Sequence, residues 1–144
     1  MKKLLILAGS LLSFNLMAHC PNLTGTYTCV NFEGKIYQQT VSIKTIENGI
    51  SYVFSNKNNT ISWNVDGKQN TNHINSGAQK IKMLYRGTCK NHTYINEFML
   101  DNKVNVVRGN SEFFLTPDGY VQKNTLIFPN DTQKKSTESC KRVD

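Results

Sequence analysis

Four cysteines are the residues whose type and spacing most directly specify chemistry in this chain. They are Cys20, Cys29, Cys89 and Cys140. An even number of cysteines in a small exported domain is typical of disulfide bonds, whereas a zinc or redox site would use a Cys-x-x-Cys pair, which the sequence lacks. A bond between Cys20 and Cys29 is the least favourable, because an extended segment between them far exceeds the roughly 6 Å that a disulfide allows between Cα atoms. We therefore expect two long-range disulfides, and the sequence leaves both long-range pairings open.

Catalysis would require a nucleophile beside a base, or two carboxylates in one pocket. Glu97 and Glu112 are the carboxylates that fall inside predicted strands, where a solvent-facing position is the common one. His73 lies in an Asn-rich segment and His92 in a turn. His19 would become the first residue after leader removal, and a free amine with an imidazole can bind Cu(II) or Ni(II), although an ordinary first residue is the simpler interpretation. The sequence therefore predicts a non-enzymatic protein without a metal site or cofactor.

Aromatic side chains at alternate positions form the other candidate site. Alternation places them on one face of successive strands, so we expect them to face the interior. The interior of a barrel of about eight strands is either filled by side chains or holds one small ligand. A filled core is the common outcome, and the Tyr-rich lining favours a small apolar ligand as the alternative. The candidate ligand-lining residues are Tyr27, Tyr37, Tyr52, Phe54, Trp63, Tyr85, Tyr94 and Phe98.

The elements that would position these side chains are predicted by hydrophobic periodicity. Period-two alternation recurs from Leu23 to Phe128, and helical periodicity is almost absent. Asn48-Gly49 between two alternating runs predicts a hairpin turn, and Pro117-Asp118-Gly119 suits another reversal. The pattern predicts an all-β domain of eight to ten antiparallel strands. A closed barrel is favoured because it removes exposed sheet edges, and a two-layer β-sandwich is the alternative.

Polar segments divide this pattern. Residues 68–78 are predicted to be a mobile loop, and residues 130–138 a polar connection before a last short strand. Within the C-terminal half, Gly109-Asn110-Ser111 and Gln122-Lys123-Asn124 are predicted to interrupt strands.

The first eighteen residues are predicted to be a cleavable secretion signal. Lys2 and Lys3 precede an apolar run, and Ala18 supplies a small residue at the cutting position. The run is too short to span a bilayer, which takes about 20 residues, and no second long apolar run follows. A lipoprotein signal would need a small residue where His19 stands before Cys20. We expect residues 1–18 to be a signal peptide, residues 19–144 to form one soluble disulfide-bonded domain, and the protein to be secreted or periplasmic.

Charge excludes one class of partner. The formal net charge of +7 falls to +5 without the leader, and the remaining Lys and Arg residues are scattered. Nucleic-acid binding requires a basic stripe with aromatic platforms, which is absent from the sequence. We therefore predict no nucleic-acid partner.

The segment Asn22-Leu23-Thr24-Gly25-Thr26-Tyr27 resembles the first strand of lipocalin-like and avidin-like (calycin) β-barrels. In those families a Gly is followed two residues later by a large aromatic ring that plugs the base of the barrel. Gly25 and Tyr27 match these positions, with Tyr where Trp is usual. The avidin-type biotin residues have no counterparts here, so the resemblance implies a fold and no biotin site. The cysteine-flanked N-terminal segment and the closing Cys-Lys-Arg also resemble small exported bacterial proteins with no assigned role.

Two functions are compatible with these features. The first is a non-enzymatic binding barrel that holds a small apolar or aromatic ligand among its inward aromatic side chains. The alternative is an interaction or inhibitor domain at an envelope or host surface, in which the loop from Lys68 to Gln79 makes the contacts. The sequence identifies neither the ligand nor the partner.

Overall fold

The computed structural model describes residues 19–76, 79–101 and 105–143, and it consists of ten β-strands in that part of the chain. The predicted signal peptide, residues 1–18, lies outside the described residues. Within the described part, no helix is long and apolar enough to cross a bilayer. The strands are β1 (Gly25–Val30), β2 (Ile36–Ile46), β3 (Gly49–Ser55), β4 (Thr60–Val65), β5 (Gln69–Ser76), β6 (Gln79–Lys90), β7 (Thr93–Asp101), β8 (Val106–Thr116), β9 (Gly119–Ile127) and β10 (Gln133–Arg142).

All ten strands belong to one antiparallel sheet. Its order is β4-β3-β2-β1-β10-β9-β8-β7-β6-β5, so consecutive strands pair as hairpins except β4 and β5, and the first strand pairs with the last. The sheet curls into a nearly closed barrel whose two ends, β4 and β5, meet at a seam. The predicted all-β, antiparallel barrel of eight to ten strands is confirmed, and the single sheet excludes the two-layer sandwich.

Side chains close the seam between β4 and β5. The Asn64 side-chain amide donates to Asn70 Oδ1 at 3.2 Å, and the Asn72 amide donates to the carbonyl oxygen of Ser62 at 2.8 Å. The hydroxyl of Tyr85, on β6, accepts a hydrogen bond from the Asn64 backbone N–H at 3.0 Å. These hydrogen bonds satisfy polar groups of β4 that would otherwise need a neighbouring strand as their partner.

The two ends of the barrel differ. We call the end that carries the β2–β3, β4–β5, β6–β7 and β8–β9 turns the lower end, and the opposite end the upper end. The segment before β1 lies at the lower end, where Leu23 is fully buried and the Tyr52 hydroxyl donates to the Pro21 carbonyl oxygen. A disulfide between Cys20 and Cys89 ties the same segment to the end of β6. The lower end is therefore closed by the chain itself.

The second disulfide joins Cys29 on β1 to Cys140 on β10, which lie opposite each other in the ladder. Both bonds are long-range, with sequence separations of 69 and 111 residues, as predicted. The structure thereby decides between the two pairings that the sequence left open. Loops of this length correspond to about 4 kcal/mol of stabilisation per bond in the chain-entropy model.

A layer of four tyrosines fills the lower half of the barrel. Tyr27, Tyr52, Tyr94 and Tyr120 are each at most 1% exposed. The ring centroids of Tyr27 and Tyr120 are 4.8 Å apart, as are those of Tyr52 and Tyr94. Phe113 stacks on Tyr94 at 5.1 Å and extends the cluster toward the upper half. We call these four residues the tyrosine layer.

The predicted loops at residues 68–78 and 130–138 are wrong in large part. Residues 69–76 form β5, which pairs with β6 along its whole length, and β10 begins at Gln133. Backbone pairing with one neighbour does not require apolar side chains, which is why polar segments can form both strands. The predicted interruptions at 109–111 and 122–124 are also absent, since β8 and β9 run through them.

The β2–β3 turn lies one residue earlier than predicted. Its central residues are Glu47 and Asn48, and Gly49 already begins β3. A Cβ atom on Gly49 would lie 2.3 Å from the carbonyl oxygen of Val65. Glycine is therefore needed here for the close approach of two backbones, and the Asn-Gly signal marked the hairpin without placing its turn.

Candidate functional site: an interior cavity with two kinds of wall

A cavity of about 280 Å³ lies inside the barrel, above the tyrosine layer. Eight strands contribute side chains to its walls, namely β2, β3, β4, β6, β7, β8, β9 and β10. Several lining side chains are only partly buried, so the space communicates with solvent. The lining residues are Tyr37, Gln39, Phe54, Ile61, Trp63, Met83, Asn96, Phe98, Ser111, Phe113, Gln122 and Glu138.

One wall of the cavity is apolar. It consists of Phe54 on β3, Ile61 and Trp63 on β4, Met83 on β6 and Phe98 on β7, with Phe113 at its base. These side chains share the lumen because each occupies an inward position of its strand. The Trp63 ring meets Tyr85 edge-on, with centroids 4.9 Å apart, which fixes the indole at the rim of the seam. This wall can contact an alkyl or aromatic group.

The opposite wall is polar and internally hydrogen-bonded. The Tyr37 hydroxyl donates to Glu138 Oε2 at 2.9 Å, and the Tyr120 hydroxyl of the tyrosine layer donates to Gln39 Oε1. The Ser111 hydroxyl donates to Asn124 Oδ1 at 2.6 Å. These three hydroxyl protons are thus already committed to protein acceptors.

Burial keeps the tyrosine hydroxyls of this region protonated. It raises the pKa of Tyr37 well above the ordinary value, and the adjacent negative charge of Glu138 raises that pKa further. Burial likewise raises the pKa of Tyr120, Tyr52 and Tyr94. All four hydroxyls therefore act as neutral groups at physiological pH and have no role as bases.

Asn96 supplies an unpaired acceptor to the cavity. Its side chain is 3% exposed, and Oδ1 has no hydrogen-bond partner among the described residues. A buried amide oxygen without a partner is unfavourable by about 1–3 kcal/mol, so such groups are uncommon in folded proteins. An unpaired acceptor in a cavity wall is a position at which a ligand donor would be stabilised.

The eight predicted ligand-lining residues fall into two groups. Tyr37, Phe54, Trp63 and Phe98 line the cavity. Tyr27, Tyr52 and Tyr94 belong to the tyrosine layer below it, and Tyr85 lies at the seam, where its hydroxyl is bonded to β4. The interior is accordingly filled in its lower half and open in its upper half. Whether the first group binds a ligand stays a prediction.

The polar lining residues were missed from the sequence. Asn96, Ser111, Gln122 and Glu138 occupy inward positions on β7 to β10, but polar residues at alternate positions look like a solvent-facing strand or a break in it. The sequence did contain a signal for Asn96. It lies two residues after Tyr94 and two before Phe98, so alternation places it on the same inward face as these two aromatic residues.

The other candidate residues lie away from the cavity. Glu97 is exposed on the outer face of β7, next to Arg86 in the ladder, and Glu112 lies opposite Lys123 on the outer face. The rings of His19 and His92 are 6.4 Å apart, and both residues are exposed. Among the residues in the described ranges, no group of three or more His, Cys, Asp or Glu side chains is placed to hold a metal ion.

Comparisons with known proteins bear on the fold. No family model and no curated protein matches this sequence. A solved secretory abundant heat soluble (SAHS) protein from Ramazzottius varieornatus superposes with a TM-score of 0.53 at 14% identity, covering 85% of this chain and 96% of that chain. SAHS protein 4 of the same organism gives 0.52 at 13% identity, covering 85% and 95%. At identities this low, the superposition shows a shared fold alone, a barrel of the lipocalin-like type, as the first-strand resemblance implied. The comparisons lend no support to the resemblance to small exported bacterial proteins.

Proposed function

We propose that this chain is an exported, non-enzymatic β-barrel that binds a small ligand with an apolar or aromatic body in its upper cavity. The observation that carries the proposal is the cavity of about 280 Å³ bounded by an aromatic wall. Protein interiors normally leave few voids larger than a water molecule, so an open space of this size beside apolar side chains is a place for a ligand.

The size of the cavity limits the ligand. At about 30 Å³ per water-sized group, the space holds roughly nine or ten heavy atoms. A ligand of this size would cover the inward surfaces of Ile61, Trp63 and Phe98. Burying apolar surface contributes about 25 cal/mol per Å², which supplies the main driving force for such binding.

Export is supported by two independent features of the chain. Residues 1–18 have the pattern of a cleavable leader, and both disulfides would form in an oxidising compartment. The SAHS proteins that share the fold are themselves named as secretory. A secreted or periplasmic location follows as part of the proposal, and mass determination of the protein purified from culture medium or periplasm tests it. An unprocessed N-terminus in the cytoplasm would contradict it.

Trp63 is the single tryptophan of the chain and lines the cavity, so its emission reports on occupancy. Titration with butylbenzene, a neutral ten-carbon hydrocarbon, is expected to change this emission saturably. The variant S111M fills the cavity with a larger side chain and should abolish the change. The matched control S139M places the same side chain at an exposed position on β10 and should leave it intact. Absence of a saturable signal in emission and in calorimetry would overturn the proposal.

A surface-interaction role is the second candidate, and one observation favours it. Val30, Phe32 and Ile36 are 41%, 56% and 73% exposed at the tip of the β1–β2 hairpin. The predicted contact loop from Lys68 to Gln79 is largely strand β5, so the hairpin tip replaces it as the candidate surface. Exposed apolar groups at one tip are typical of contact sites. The double variant F32S/I36T should lose any partner that the wild-type protein retains in a pull-down, and full retention would exclude this surface.

A further inference from the structure

We infer that the cavity selects a protonated amine, with the ammonium group paired to Glu138 and an aromatic or short alkyl body against the apolar wall. The inference rests on the proposed function and specifies the chemical class of its ligand. It follows from which polar groups of the lining remain free.

The charge of the lining has one sign. Among the described residues that line the cavity, Glu138 is the only one that carries a charge, and no Lys or Arg belongs to the set. A ligand carboxylate would therefore meet a like charge in a partly desolvated space and find no cation to pair with. An ammonium group would meet the opposite charge, and a pair shielded from bulk water is stronger than a pair on the surface.

Two acceptor groups of the lining have free hydrogen-bonding capacity. Glu138 Oε2 accepts from Tyr37, but a carboxylate has about four acceptor sites, so most of its capacity is unused. Asn96 Oδ1 is buried and has no partner in the described structure. The protons of the Tyr37 and Ser111 hydroxyls are donated within the protein. A ligand that carries donor groups fits these two acceptors.

The positions of the two free acceptors also constrain the ligand. Glu138 is on β10 and Asn96 on β7, so two strands separate them along the wall. At about 4.8 Å per strand they lie roughly 14 Å apart along the curved sheet and closer across the lumen. A ligand with a second N–H or O–H donor at its far end would satisfy Asn96 as well.

The aromatic side chains support the same ligand class. Phe54, Trp63, Phe98 and Phe113 surround the cavity on the side that faces the polar wall. The faces of such rings attract cations, with Trp the strongest, so they stabilise an ammonium group or its adjacent methylene groups as well as a hydrocarbon. A cation is thus favoured by both walls.

Three probes with one skeleton and different head groups test the inference on the wild-type protein. They are 4-phenylbutylamine, 4-phenylbutanol and 4-phenylbutanoate, measured at pH 7 by Trp63 emission and calorimetry. The amine is expected to bind about tenfold or more tightly than the alcohol, because hydrogen bonds to charged groups exceed neutral ones, and the carboxylate should bind most weakly.

Two variants assign the preference to a residue. E138Q keeps the size of the side chain and removes its charge, so the amine should lose about tenfold in affinity while the alcohol changes by less than about twofold. E97Q removes the same charge from the outer face and should change neither. If the alcohol binds and the amine gains nothing over it, or E138Q leaves the amine unaffected, the inference is wrong while the proposed function stands. If no member of the series binds, both are wrong.

Discussion

The Tyr94 hydroxyl offers a test of how the tyrosine layer contributes to stability. Tyr94 is fully buried, and its hydroxyl has no hydrogen-bond partner among the described residues. An unpaired buried hydroxyl is unfavourable by about 1–3 kcal/mol, since its hydrogen bonds to water are lost on folding. The variant Y94F keeps the ring, its contacts with Tyr52 and its stacking on Phe113. We expect it to raise the free energy of unfolding by about 1 kcal/mol, or the melting temperature by roughly 3–5 °C.

Tyr52 provides the matched control, because its ring belongs to the same layer and its hydroxyl donates to the carbonyl oxygen of Pro21. Y52F should lower the free energy of unfolding by about 1 kcal/mol, since it removes one of the two hydrogen bonds that the Pro21 carbonyl oxygen accepts, the other coming from the Leu23 backbone N–H. Both variants are compared with the wild type by urea denaturation with the disulfides intact. A loss of 1 kcal/mol or more in Y94F would refute the reasoning, because it would show that the Tyr94 hydroxyl has a favourable partner.

Three further predictions concern pH, the disulfides and the seam. The pKa values of Tyr37, Tyr52, Tyr85, Tyr94 and Tyr120 are raised by burial. Unfolded tyrosines ionise near pH 10, so stability should be intact below that pH and fall as the pH rises above it. Absorbance at 295 nm should then develop together with unfolding measured by circular dichroism, and ionisation of these side chains well before unfolding would contradict this. The double variant C20S/C89S should lose about 4 kcal/mol in urea denaturation, and an unchanged midpoint would show that the lower end is held without the bond. In G87A the new Cβ would lie 2.3 Å from the carbonyl oxygen of Asn64, so stability should fall by about 1–3 kcal/mol, whereas an unchanged melting temperature would show that the seam can widen freely.

Much of the fold could be predicted from alternation because the apolar positions keep a strict period of two. Tyr27 and Cys29 on β1 and Ile50, Tyr52 and Phe54 on β3 all lie on the inner face, as their spacing requires. The two long-range disulfides also followed from spacing. Their pairing did not, because it depends on β10 lying beside β1, and strand order cannot be derived from the period of a single strand.

The C-terminal half was less predictable because its inner face is polar in the upper part of the barrel. Asn96, Ser111, Asn124 and Ser136 lie side by side across β7, β8, β9 and β10. On β7 and β8 the polar residue lies next to apolar residues of the same face, whereas on β9 and β10 polar residues lie next to it as well, and from one strand alone it looks like a turn or a solvent-facing position. Only the register between strands shows that these residues form one continuous row. The aromatic wall of the candidate site could therefore be predicted from the sequence. The polar wall could not, because it is visible only in the pairing between strands.

This division of the barrel separates what holds the fold from what is available for binding. The Cys20–Cys89 disulfide and the tyrosine layer lie toward the lower end, where the segment before β1 closes the barrel. The upper lumen contributes less packing, since its inward residues on β9 and β10 include Gln122 and Glu138. A protein can retain an unpaired acceptor and a charge facing a cavity only if its stability is secured elsewhere. Under the proposed function the free acceptors of the upper half are available to a ligand, and the Cys20–Cys89 bond and the packing of the lower half supply the stability that this arrangement requires.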